Sequence, residues 1–134
     1  MKSIDSSSTI KLNVVKAEPS VFVDQYKSSK IDVADLKGIA SKSVKMGAAL
    51  LTHVLTEYRV AAGMQGGHVM SNFGAAHTKA ITAESGVFGA ARRTISAGAR
   101  FPNAGGTITF EYRGSNDNVL TSFTYTLDEN RTPK

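Results

Sequence analysis

Two residues one helical turn apart carry the first chemical signal in this chain. His53 and Glu57 lie in Leu50-Leu51-Thr52-His53-Val54-Leu55-Thr56-Glu57-Tyr58, the most apolar run of the sequence. That run reads as a helix, and at about 100° per residue the two side chains fall roughly 40° apart on one face. Leu51, Leu55 and Tyr58 then point to the other side, while Leu50, Val54 and Ala61 flank the polar pair. The pattern predicts a central helix that is buried nearly all round. A buried imidazole and carboxylate must be paired, hydrogen-bonded or metal-bound, because an isolated ionised carboxylate in the interior costs several kcal/mol.

Helical His-x-x-x-Glu is a pair that metal sites use, since side chains four apart project together. A catalytic zinc takes three protein ligands and leaves a fourth position open. The third ligand is sought in His77, within Ala75-Ala76-His77-Thr78-Lys79-Ala80, or in His68, beside Gly67 in the connecting loop. The small neighbours of His77 let two helices approach closely and favour it. Glu84 lies seven residues further on, about two turns along the same face. It is either a partner that orients an imidazole or a surface carboxylate. The chain has no cysteine, which excludes disulfides, thiolate metal sites and a thiol nucleophile, so any metal is held by imidazole and carboxylate.

Other reactive patterns are missing. No serine sits in a Gly-x-Ser-x-Gly elbow. Gly63-Met64-Gln65-Gly66-Gly67 lacks the Lys-Ser/Thr ending of a phosphate-binding loop and follows a helix, not a strand. Arg92-Arg93 reads as a solvated helix face or a clamp for an anion.

The elements that must position these groups follow from pattern. At 134 residues, 41% hydrophobic and 20% charged, the chain fits one domain, 1–134, with flexible tails at 1–8 and 128–134. Alternation over 8–15 places Ile10, Leu12 and Val14 on one side of a strand, and 20–26 is a second strand rich in β-formers. The stretch 31–39 reads as a third strand or a loop. Together these form an N-terminal β-meander. Ser41 is the expected N-cap of a helix over 42–62, with Gly47 at a close packing contact and Gly63 as its terminator. A second helix spans 72–83, with Phe73, Ala76, Ala80 and Ile81 as its apolar stripe, and the spacing of Val87, Phe88, Ala91 and Ile95 suggests a third over 86–99. The runs 107–113 and 119–127 alternate cleanly around Gly114–Asn118 and form a C-terminal β-hairpin. The fold class is α+β.

Thr52-His53-Val54-Leu55-Thr56-Glu57-Tyr58, followed after a glycine-containing loop by Ala76-His77-Thr78-Lys79-Ala80, resembles a zincin-type metallopeptidase pattern. It is similar to the short peptidase-like domains at the ends of bacterial polymorphic-toxin and phage-associated proteins. Those carry a His-Glu-x-x-Glu or His-Glu-x-x-His helix and a later Ala-His on the next helix. The resemblance covers roughly 21–83 and implies zinc held by His53, Glu57 and His77, a peptide or protein substrate, and an edge strand at 20–26 beside the cleft. One departure stands out. The general-base glutamate that follows the first histidine in that pattern is Val54 here. A valine cannot take a proton from a metal-bound water, so the resemblance implies a weak or inactive peptidase.

The competing class is a non-enzymatic structural or interaction subunit of a phage or secretion-type assembly. Its contact element is the hairpin, with Ile108, Phe110 and Tyr112 facing Phe123 and Tyr125, and His53–Glu57 is then only a buried polar pair. Self-assembly belongs to this reading. The net charge of +5 is scattered, without basic runs interleaved with aromatics, which argues against nucleic acid as a partner. No apolar run reaches membrane-spanning length, and the first residues lack the apolar core of a signal peptide, so the expected setting is cytoplasmic or delivery by a particle or secretion apparatus.

Overall fold

The computed structural model describes residues 11–98 and 103–134. It is an α+β fold with two three-stranded sheets flanking a set of helices. The strand expected over 8–15 is present as β1, Asn13–Val15, and its start at 8–10 lies outside the described residues. Val14 points to solvent, not inward. The run 20–26 is no continuous strand. It turns back on itself and contributes only β2, Asp24–Gln25, while β3 is Lys30–Asp32. The N-terminal sheet is not a meander: β3 lies between the other two, parallel to β1 and antiparallel to β2.

The ambiguous stretch 31–39 is β3 followed by a helix, α1, Val33–Lys42. Asp32 makes the change of direction. Its carboxylate caps α1 by accepting from Ala34 N (2.9 Å) and Asp35 N (3.2 Å), and the same group accepts from Ala17 N (3.0 Å) and Glu18 N (2.8 Å). Ser41 therefore lies inside α1. The long helix α2, Val44–Gly63, is capped instead by Ser43, whose extended backbone (φ −155°) breaks the two helices apart and whose Oγ accepts from Met46 N at 3.1 Å. Gly63 is the last helical residue and Met64 the C-cap, so the left-handed residues of the following loop are Gly66 and Gly67. Gly47 is the expected close contact: a Cβ there would lie 2.7 Å from the Ala40 Cβ of α1.

The central helix α2 is not buried all round. Its inner face carries Leu50, His53, Val54, Glu57, Tyr58 and Ala61, whereas Leu51 and Leu55 are exposed. A 3₁₀ turn, Met70–Asn72, leads into α3, Phe73–Gly86, which lies along α2 with Ala76 and Ala80 fully buried. Small side chains at those positions bring the polar groups of the two helices within reach of each other.

Beyond the end of α3 at Gly86, no third helix forms over 87–98. Gly89 takes a φ of +65°, and the chain then enters strand β4, Arg92–Ala97, whose backbone pairs antiparallel with β5, Thr107–Arg113. Strand pairing overrides the helical spacing of the apolar residues here. The hairpin is present as expected, with β6, Val119–Thr126, on the other side of β5 and Phe110 opposite Phe123. Its apolar face is turned inward on α1 and α2: the Tyr112 hydroxyl lies 3.4 Å from Met46 Sδ, and Tyr125 donates to the Ile39 carbonyl (3.4 Å). The segment 128–134 is not a loose tail. Leu127 bridges Pro133, and the Pro133 carbonyl sits where a side chain on Gly38 of α1 would be, 2.0 Å from the position of its Cβ. Among the described residues, no helix is long and apolar enough to cross a membrane.

Candidate metal centre

The inner face of α2 delivers His53 and Glu57 together, and α3 places His77 and Glu84 opposite them. Glu57 is the hub. Its Oε2 accepts from His77 Nδ1 at 2.6 Å and from His53 Nε2 at 3.2 Å. On its other nitrogen, Nδ1, His53 donates to Glu84 Oε1 at 2.8 Å. Glu84, fully buried, is the orienting partner and not a surface carboxylate. It is held in turn by Arg93 Nη1 of β4 at 2.7 Å and by the Tyr112 hydroxyl of β5. Arg92 and Arg93 are strand residues, not a helix face, and Arg92 pairs with exposed Asp117.

These contacts set the charges. Burial acts to raise the Glu57 carboxyl, but the hydrogen bonds from His53 and His77 overcome it and hold the group at about 2. Burial likewise acts against a charged His53, and the bonds to Glu57 and Glu84 prevail, lifting it to about 9. An imidazole that donates from both nitrogens is the protonated form. Without a cation, the cluster is therefore an imidazolium bridging two carboxylates.

The same geometry admits a metal ion. Donor atoms of His53, Glu57 and His77 all lie within 4.8 Å of one another. Ligands about 2.0–2.1 Å from a tetrahedral ion stand roughly 3.3 Å apart, close to the 3.2 Å between His53 and Glu57. The 2.6 Å between His77 and Glu57 would open by several tenths of an ångström. Two imidazoles and one carboxylate form a donor set suited to a divalent ion, and Glu84 on the far nitrogen of His53 completes a carboxylate–histidine relay of the kind that orients metal ligands. Phe73 stacks on the His77 ring (4.8 Å between centroids) and limits its rotation.

His68 is not brought to this group. Its ring packs against both Tyr26 and Tyr58, with centroids 4.0 and 4.8 Å away, and its Nδ1 lies 3.3 Å from Ser29 Oγ. A residue that spacing alone does not reveal is Asp24 of β2. It faces the same cleft of about 140 Å³ as His53, His77 and Arg93. Burial first, and then the Glu57 charge, push its carboxyl up to about 7. Its only sequence signal is a polar residue interrupting the apolar run Val21-Phe22-Val23. Val54 is fully buried and lines this cleft, so methyl groups occupy the region beside His53.

No family model matches the chain, and no curated protein or solved structure matches it.

Proposed function

We propose that this chain is a zincin-like, metallopeptidase-related domain that binds zinc through His53, Glu57 and His77 and has little or no peptidase activity. The observation that supports the reading most strongly is the convergence of these three side chains from two helices, with buried Glu84 behind His53. Zinc supplies Lewis acidity and lowers the pKa of a bound water. The chain's own residues supply the rest. Glu84, anchored by Arg93 and Tyr112, fixes the ring of His53 and presents Nε2 to the site. Glu57 offers a carboxylate kept ionised by its neighbours. His53 would hold the ion through Nε2 in place of the proton it carries there, so metal uptake would release protons.

Hydrolysis also needs a base that takes a proton from water and returns it to the leaving amine, a step worth about 10²–10⁴-fold. Buried Val54 supplies none at its position. The apolar walls from Leu50, Ile95 and Phe110 suit an apolar peptide side chain.

The test is elemental analysis of protein purified without chelator or histidine tag, beside a His53→Ala/His77→Ala double variant. About one zinc per chain in the parent, lost in the variant, is the expected result. A parent that takes up no metal even after zinc is added overturns the proposal. The cluster is then an ionic brace between α2 and α3, as the interaction-subunit reading holds.

A further inference from the structure

Asp24 is held in place by a strained backbone. Its predecessor Val23 has a φ of +65°, a conformation that a β-branched residue adopts at a cost of about 1–3 kcal/mol. Asp24 N donates to the Phe22 carbonyl at 2.7 Å across Val23, closing a γ-turn of the rare hand. Three contacts hold this turn: Val23 N donates to Asp35 Oδ2 at 2.8 Å, the Val23 carbonyl accepts from Asp32 N at 2.8 Å, and the Val23 side chain is buried in the core. The result is a carboxylate set at the cleft that His53 and His77 also line.

That carboxylate is incomplete. Asp24 Oδ2 is buried and has no hydrogen-bond partner. Glu57, another carboxylate, acts on it by charge and stands close enough to share a hydrogen bond when one of the two holds a proton, and His53 acts on it by charge. His53 has both ring nitrogens committed, to Glu57 and to Glu84. Two carboxylates facing each other out of water need something positive between them, a proton or a cation.

Building on the zinc-centre reading, we infer that Asp24 is the fourth ligand, closing a two-histidine, two-carboxylate site. Its oxygen stands outside the group of atoms within 4.8 Å of one another, so ligation draws the side chain inward by rotation. Two carboxylates and two neutral imidazoles cancel the charge of a divalent ion. A fourth protein ligand also fills the position that a catalytic zinc leaves to water, which marks a structural centre. This agrees with valine at position 54: the centre lacks both an open position and a base.

The experiment compares parent and Asp24→Asn, an isosteric change, by zinc affinity in chelator competition, by the visible spectrum of the cobalt(II) form, and by melting temperature with and without metal. The expected result is a loss of zinc affinity of at least about tenfold, a changed cobalt spectrum, and a reversal of sign in stability. Removing a half-buried carboxylate beside Glu57 raises the melting temperature of the metal-free protein, while losing a ligand lowers that of the loaded protein. Asp24→Asn that binds zinc within twofold of the parent with an unchanged cobalt spectrum overturns the inference and leaves the three-ligand centre standing. A parent that binds no metal removes both. A melting temperature lowered equally in both forms assigns Asp24 a folding role and overturns the inference; Asp24→Ser, smaller and uncharged, must repeat the reversal.

Discussion

Two groups of buried carboxylates sit on either side of the N-terminal turn, and they are satisfied in opposite ways. Asp32 and Asp35, at the start of α1, accept from backbone amides: Asp32 takes four of them, and Asp35 takes Val23 N. Glu57 and Glu84, between α2, α3 and the C-terminal sheet, accept from two imidazoles, a guanidinium and a phenol. Backbone amides do not titrate and cannot be surrendered, so the first group is architecture. Imidazoles can give up a proton to a metal, and the second group also faces a carboxylate oxygen with no donor at all. The kind of partner, more than burial, separates a brace from a site.

The sharpest way to test that division is at Glu84. Glu84→Ala leaves the mostly buried Arg93 guanidinium and the Tyr112 hydroxyl without their acceptor, and breaking such a pair costs about 3–5 kcal/mol by denaturant unfolding. Glu84→Gln keeps an oxygen for Arg93 and turns its amide NH2 to the Tyr112 hydroxyl, which can accept, so it is expected to fold. It withdraws the carboxylate from His53 Nδ1, and zinc affinity falls about 10–100-fold. A Glu84→Gln protein with parental zinc affinity would place Glu84 with the architectural carboxylates.

Asp32→Ala is the counterpart. Four backbone N–H groups lose their acceptor, two of them at the N-terminus of α1, at a cost of about 2–3 kcal/mol. Zinc bound per chain stays at the parental value under conditions where the variant is folded. A drop in stoichiometry would show that the two groups are coupled through the Val23 turn.

How much of this was legible in the sequence depends on the range of the interactions. Period-two alternation marks a sheet with one buried face, so the hairpin is readable nearly to the residue, 119–127 expected and Val119–Thr126 observed. His53 and Glu57 are readable because a helix turns four residues of spacing into a shared face. His77 is readable once a second helix is placed beside the first. The N-terminal sheet is not, because strands of two or three residues carry no period, and the Asp32 and Asp35 carboxylates shape them through bonds spanning 12 to 15 residues. Arg93 looked like a helical residue because apolar spacing at 87–95 suits a helix, and only pairing with β5 makes it a strand residue aimed at Glu84. Asp24 is the extreme case. Its position depends on a left-handed valine that local preference forbids and that tertiary bonds impose.

Asp35 offers the finest test of the architectural group, through pH. Burial is the main cause that lifts its carboxyl from 3.8 to about 7, with the Val23 amide working the other way and Asp32 and Asp128 adding to the rise. The folded state therefore holds a proton that the unfolded chain has already released. Below pH 4 both states are protonated and the fold keeps its full stability. As pH rises from about 4 to about 7 the unfolded state ionises first, and stability falls, because the folded state binds more protons. Above that range no further loss comes from this residue. Asp35→Asn still accepts from Val23 N but cannot ionise. In metal-free protein, the difference in unfolding free energy between Asp35→Asn and the parent should grow with pH across this window, to a total on the order of 1–2 kcal/mol after relaxation of the buried site. Subtracting one protein from the other removes the shared contributions of Glu57 and His53, which act in other windows: Glu57 is lost only as pH falls below about 4.5 towards 2, and His53 as it rises from about 6.5 towards 9. A difference that stays flat from pH 4 to 7 would mean that Asp35 ionises as readily in the fold as outside it, and that the Val23 amide is answered by a charge, not by a neutral acid.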